Sequence, residues 1–208
     1  MNSHRIFFFV AIAISSITSC KTVNTEKESQ LIDSLSTEVA KAESLINEID
    51  VTVLKTYSDE ITSQIDSVKA QFGTASPTSG TGQAGGIEWE LAKLLNIRYA
   101  INKAFKNFID KKDFIDEEIN YSKEQLANFK HDLDKNIMTL DSFRLNYTIE
   151  LKALNDLKGL IHQELENINN TIAKYRETNP EMKKQMEKLD SIRQGELQLL
   201  SSGSRQRQ

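Results

Sequence analysis

The sequence predicts an all-α protein of long amphipathic helices, forming an elongated coiled coil or an antiparallel helical bundle. Two observations carry this. Helix breakers are scarce, with two Pro and eight Gly in 208 residues, while good helix formers such as Leu, Lys, Glu and Gln are abundant. Apolar residues also recur at a strict spacing of seven. Ile119, Leu126, Leu133, Leu140, Tyr147, Leu154, Ile161, Ile168 and Tyr175 form an unbroken row. A stripe sustained over eight heptads is the signature of helices packed along a seam.

The chain opens MNSHRIFFFVAIAISSITSC. His4 and Arg5 precede an apolar run from Ile6 to Ile14, then small polar residues, then Cys20. A short positive region, an apolar core and a small-residue end describe a secretory signal peptide. An apolar run of that length reaches about 14 Å as a helix, well short of the ~30 Å hydrocarbon core. The last four residues, Ile17-Thr18-Ser19-Cys20, resemble the lipobox of bacterial lipoproteins. That resemblance implies removal of residues 1–19 as a lipoprotein signal peptide and acylation of Cys20, the single cysteine. Acyl chains contribute about 0.8 kcal/mol per buried CH₂, and stable anchoring takes more than one chain. The membrane, reached through lipidated Cys20, is thus the first expected partner. Lys21 stands where, in enteric bacteria, an Asp would resemble an inner-membrane retention signal, so in a host with two membranes the resemblance implies the outer membrane, with the body expected to face the periplasm. Surface-exported lipoproteins of the Bacteroidota resemble one another in an acidic cluster just after the Cys. Here only Glu26 and Glu28 stand at a distance.

Residues 20–30 read as a polar tether. From there Leu35, Val39, Ala42, Ile46, Ile49 and Val53 alternate in steps of four and three. Tyr57, Ile61 and Ile65 continue in fours, a stutter that relaxes a left-handed supercoil. One helix over 31–72 is expected. Residues 73–86, GTASPTSGTGQAGG, contain five Gly, one Pro and five Ser or Thr, the composition of a flexible linker.

Ile87, Leu94, Ile101, Phe108 and Ile115 then recur every seven residues, and the longer series begins after a four-residue shift. The spacing predicts helix over 87–178 and leaves two arrangements open there. One is a continuous rod; the other reverses near 120–122, where Ser122 and Gln125 are spaced as a capping box. Thr178-Asn179-Pro180-Glu181 reads as a stop and restart, because the residue before Pro is pushed out of the α region. A short helix over 180–200 and a disordered tail over 201–208 complete the expectation.

Chemistry is sparse. Without residues 1–19 the chain loses Arg5 alone, leaving 25 basic against 30 acidic residues, a balance that speaks against a nucleic-acid partner. With Cys20 committed to lipid, no disulfide or Cys-based metal site is expected. His131 and His162 fall beside the seam among polar neighbours, without the Glu-x-x-His pattern of di-iron bundles. Asp113, Asp116, Glu117 and Glu118 read as a solvated face, with Lys112–Asp116 a favourable i,i+4 pair. No nucleophile elbow, phosphate loop or calcium loop appears, so no enzyme activity and no cofactor are expected. Asp33-Ser34-Leu35, Asp66-Ser67-Val68 and Asp190-Ser191-Ile192 each resemble the acceptor of Bacteroidota O-glycosylation.

Phe105, Phe108, Phe114, Phe129 and Phe143 fall on or beside the seam and read as core. Trp89, at a helix start beside the linker, is the candidate for partner contact. The expected function is a lipid-anchored coiled-coil protein of the bacterial envelope, acting as spacer, scaffold or partner-binding subunit. A protein partner or self-association through the helical seams belongs to that expectation. The alternative is a surface-exposed adhesin or host-interaction lipoprotein of the same architecture.

Overall fold

Helices that are apolar along one stripe and charged elsewhere must bury that stripe against one another. The computed structural model describes residues 25–72 and 83–205. It shows four helices doing this: α1 (Thr25–Ile46), α2 (Val51–Phe72), α3 (Gln83–Asp134) and α4 (Leu140–Arg205). Cross-helix pairs set their directions. Asp33 near the start of α1 pairs with Lys130 near the end of α3, Glu43 with Lys123 at 2.6 Å, and Thr62 of α2 with Asn102 at 3.2 Å. The α1–α2 arm therefore runs antiparallel to α3. α4 runs back along it, with Lys111–Glu164 at 2.5 Å and Arg98–Asn179 at 2.6 Å. The architecture is an antiparallel three-arm bundle, all-α among the described residues.

The seven-residue series is the core. Ile101, Phe108, Ile115, Ile119, Leu126 and Leu133 of α3 are buried against Leu154, Ile161, Ile168 and Tyr175 of α4 and against Leu35, Val39, Ile46 and Ile61 of the first arm. Each such side chain contributes about 1.5–3 kcal/mol by leaving water. A second cluster, Val68, Leu91, Leu94 and Met182, closes the far end.

Four expectations about boundaries are corrected. The first helix begins at Thr25, inside the expected tether, and is broken at residues 47–50 instead of running through 31–72. Asp50 causes the break. Its carboxylate accepts the backbone N–H groups of Thr52 at 2.8 Å and Val53 at 3.4 Å, capping α2 as a new helix. The restart moves the stripe by one residue, so Leu54 is buried and Val53 exposed.

The expected helix over 87–178 is neither a continuous rod nor reversed at 120–122; the chain reverses at 135–139. Asn136 adopts a φ of 54°. Its N–H reaches the Leu133 carbonyl at 3.0 Å, and the Ile137 N–H reaches that of Asp132 at 3.1 Å. This is a Schellman closure with Asn in the left-handed position it tolerates better than most residues. Thr139 then caps α4, its Oγ1 accepting from the Ser142 N–H at 3.2 Å. The four-residue shift between Ile115 and Ile119 is absorbed inside an unbroken α3, with both residues buried.

α4 continues through Asn179–Pro180, where a stop was expected. The proline removes one helical hydrogen bond, at a cost of about 3 kcal/mol. Tertiary contacts hold the helix across it. The Asn179 side chain bonds to Gln64, Arg98 and Glu60, and Met182 is fully buried one turn on. Finally, the expected linker 73–86 lies outside the described residues over 73–82, while 83–86 already belong to α3. Of the expected tail, 201–205 continue α4, and the rest lies outside the described residues.

Two substitutions test these local readings. Gly159 is exposed on α4, and a Cβ there would meet nothing within 4 Å. Gly159→Ala should therefore raise stability by about 1 kcal/mol, read as a higher urea midpoint. Asp50→Ala should lower it by about 1 kcal/mol by removing the α2 cap. A neutral result would mean that the break does not depend on that carboxylate.

Candidate functional site

The positions where polar chemistry gathers are those where charged residues occupy seam columns. Counting back from Ile119 in sevens gives Lys112, Phe105, Arg98 and Leu91. Lys112 and Arg98 thus stand in core positions, and both are buried. Lys112 donates to Asp116 at 2.7 Å, the pair expected from sequence, and to Asn47 at 2.9 Å across the α1–α2 break. Buried Glu164 of α4 accepts from Lys111 at 2.5 Å.

The densest cluster lies where α2, α3 and α4 meet. Arg98 is fully buried. It donates through Nη2 to Asn179 Oδ1 at 2.6 Å, and its guanidinium sits 5.0 Å from the centroid of the Tyr175 ring. Its Nε and Nη1 have no partner among the described residues. Gln64 donates to the same Asn179 oxygen at 3.0 Å, while Asn179 Nδ2 donates to Glu60 at 3.2 Å. Glu60 also accepts from the Tyr175 hydroxyl and pairs with Lys183 at 2.8 Å. The Tyr175 ring stacks on Tyr57 at 4.2 Å and meets Phe105 edge-on at 6.0 Å.

The electrostatics follow from this geometry. Burial pulls the Glu60 pKa upward, but the bonds from Lys183, Tyr175 and Asn179, with the Lys183 charge, outweigh it and draw it from 4.5 to about 2. Burial, reinforced by the hydrogen bond and charge of Glu60, pushes the Tyr175 hydroxyl well above its usual range. Burial lowers Arg98 from its usual value, opposed by Tyr175 and Glu60. Tyr175 is thus a fixed hydroxyl donor and Glu60 a fixed acceptor. The cluster locks three helices together.

Other candidates are scattered. Trp89 is 62% exposed near the start of α3, with the Lys93 ammonium 5.5 Å from its ring centroid. Phe105, Phe108, Phe129 and Phe143 are buried as expected, but Phe114 is 51% exposed because it lies on the opposite side of α3. His131 and His162 are exposed on different helices. No group of three or more His, Cys, Asp or Glu converges for a metal among the described residues. Of the glycan-acceptor lookalikes, Ser34 and Ser191 are exposed, whereas Leu35 and Val68 are core residues. Ile17, Thr18, Ser19 and Cys20 lie outside the described residues, as does the rest of the expected signal peptide.

Two of the open clefts among the described residues lie along the bundle. One of about 230 Å³ sits at the α1–α2 break between Glu43, Asn47, Asp116 and Asn120, with both carboxylates already paired to lysines. The other, about 320 Å³, lies between the starts of α1 and α4 against Leu31, Phe143 and Tyr147. No helix among the described residues is long and apolar enough to cross a membrane. No protein-family model, no curated protein and no solved structure matches the chain.

The buried cluster yields two measurable expectations. Asn179→Ala removes the direct acceptor of a buried guanidinium and should cost about 2–3 kcal/mol in urea unfolding. Glu60 is ionised in the fold down to about pH 2, whereas in the unfolded chain its pKa is the ordinary 4.5. Its contribution is therefore complete above that ordinary value and is lost as pH falls toward 2. Glu60→Gln should flatten the acid limb of the stability profile in that window; an unaltered limb would exclude this carboxylate as a source of the pH dependence.

Proposed function

We propose that the protein is a lipid-anchored envelope protein whose helical body acts as a spacer, scaffold or partner-binding subunit, held to the periplasmic face of the outer membrane through acylated Cys20. The observation that carries the reading is the order of features at the N-terminus: Arg5, the apolar run Ile6–Ile14, then Ile17-Thr18-Ser19-Cys20. Two physical points support it. A few residues separate Cys20 from the start of α1, so an anchored thiol holds one identified end of the bundle near the lipid. The other end then lies a helix length from the anchor: α3, with 52 residues, extends about 78 Å at 1.5 Å per residue. The outer faces, largely charged with a few exposed apolar side chains, are left to make contacts, while the apolar stripe of α3 is spent inside the chain.

The test is chemical. The detergent-extracted protein should lack residues 1–19 and carry the added mass of acyl chains on Cys20. Cys20→Ser should abolish incorporation of labelled palmitate and lose membrane association after a high-salt wash. A protein that keeps Met1 with an unmodified thiol would sink the proposal. Protease treatment of intact cells then addresses orientation: protection of the body supports the periplasmic face, and digestion the surface-exposed alternative.

A further inference from the structure

Opposite its buried stripe, α3 carries a second seven-residue pattern that faces away from the other helices. Lys103, Asp110, Glu117 and Glu124 repeat along it, with Lys106 and Asp113 three residues after the first two. All six are exposed, and none makes an ion pair among the described residues. The charges are sorted by position: basic toward the N-terminal half, acidic toward the C-terminal half. Phe114 and Tyr121, seven residues apart on the same face, are 51% and 56% exposed. The face thus has the spacing of a coiled-coil seam, with polar and aromatic residues in place of aliphatic ones.

We infer that this face of α3 pairs with the same face of a second copy, antiparallel, about a two-fold axis near residues 107–110. The charge order selects the occupant. In a parallel pair, lysines meet lysines and carboxylates meet carboxylates along the whole strip. Reversing one copy sets Lys103 and Lys106 against Asp113 and Glu117 of the other, and the two-fold repeats the match on the far side of the axis. The same register brings each Lys103 toward Phe114 of the second copy, giving an otherwise solvent-exposed ring a cation to cover it. Lys103, Lys106, Asp113 and Glu117 match across the pair, with Asp110 facing its own copy at the axis, and a helix supplying both signs in this order fits a second copy of this chain better than a partner of single charge. The pairing goes beyond the lipid-anchor reading and does not depend on it. If both hold, the two Cys20 anchors stand at opposite ends of the pair, and both reach one membrane when the pair lies along it.

Cross-linking through one introduced cysteine in the full chain tests the geometry. Asn107→Cys lies beside the axis, whereas two copies of Asn96→Cys would stand about 37 Å apart along the helices at 1.5 Å per residue. With a short bismaleimide, and the unsubstituted chain as background for Cys20, Asn107→Cys should run at twice the monomer mass and Asn96→Cys should not. Reversing charge with Asp113→Lys and Glu117→Lys should abolish the cross-link. Adding Lys103→Glu and Lys106→Glu in the same chain should restore it, which a variant that merely misfolds would not allow. Equal cross-linking at 96 and 107, none at 107, or no rescue by the fourfold reversal would overturn the antiparallel pairing.

Discussion

The apolar stripe of α3 is the constraint from which the rest of the molecule follows. It is a continuous line from Leu91 to Leu133, and α3 is the one helix that packs extensively on all three others. Leaving such a line in water costs far more than the loop entropy of folding the chain back on it. α4 must therefore return alongside α3, and the first arm must cover what α4 leaves open. Irregularities in the neighbours are resolved in favour of this contact. The α1–α2 arm breaks and restarts at Asp50 so that Leu54 reaches the core. α4 tolerates Pro180 in mid-helix so that Tyr175 and Met182 can both stay buried.

Apolar seams with a seven-residue repeat have a weakness: sliding one helix by a heptad still places apolar on apolar. The buried polar residues remove that freedom. A slip of α3 against α4 would separate Arg98 from Asn179 and Lys111 from Glu164, leaving charges unpartnered in the interior. Replacing such groups by apolar residues is often neutral or even stabilising, so their worth lies in specifying register more than in adding stability. The clustering of Glu60, Gln64, Arg98, Tyr175 and Asn179 at one level pins all three arms at a single height.

The arrangement divides the work of the molecule. Most of the large aliphatic side chains among the described residues hold the bundle together, while the outer faces carry charges, aromatics such as Trp89, Phe114 and Tyr121, and a group of exposed aliphatics at the α3–α4 turn and the start of α4, Ile137, Leu145, Ile149 and Leu151. On the proposed reading, such a body would supply reach, and a partner would meet charge order and a few exposed rings, contacts that ionic strength tunes.

Sequence periodicity alone determined that the protein is helical, that its helices pack by seams, and much of the core of α3 and α4, such as Ile101, Phe108, Ile115, Ile119, Leu126, Leu133, Leu154, Ile161, Ile168 and Tyr175. Such assignments rest on local geometry: a helix turns by a fixed amount per residue, so spacing maps directly onto a face. Spacing could not tell a helix from a helix interrupted by a turn of suitable length. Leu133 and Leu140 are seven apart on opposite sides of a reversal, and the series runs through it unaltered. The turn depended on one Asn accepting a left-handed conformation. Arg98 stood in a seam column in plain view, yet its partners Glu60, Gln64 and Asn179 come from two other helices. Tertiary structure alone decided where the chain turned, how Pro180 could remain helical and which buried charges met. Each depends on contacts between residues far apart in the chain, and no local pattern encodes which distant groups will stand opposite one another.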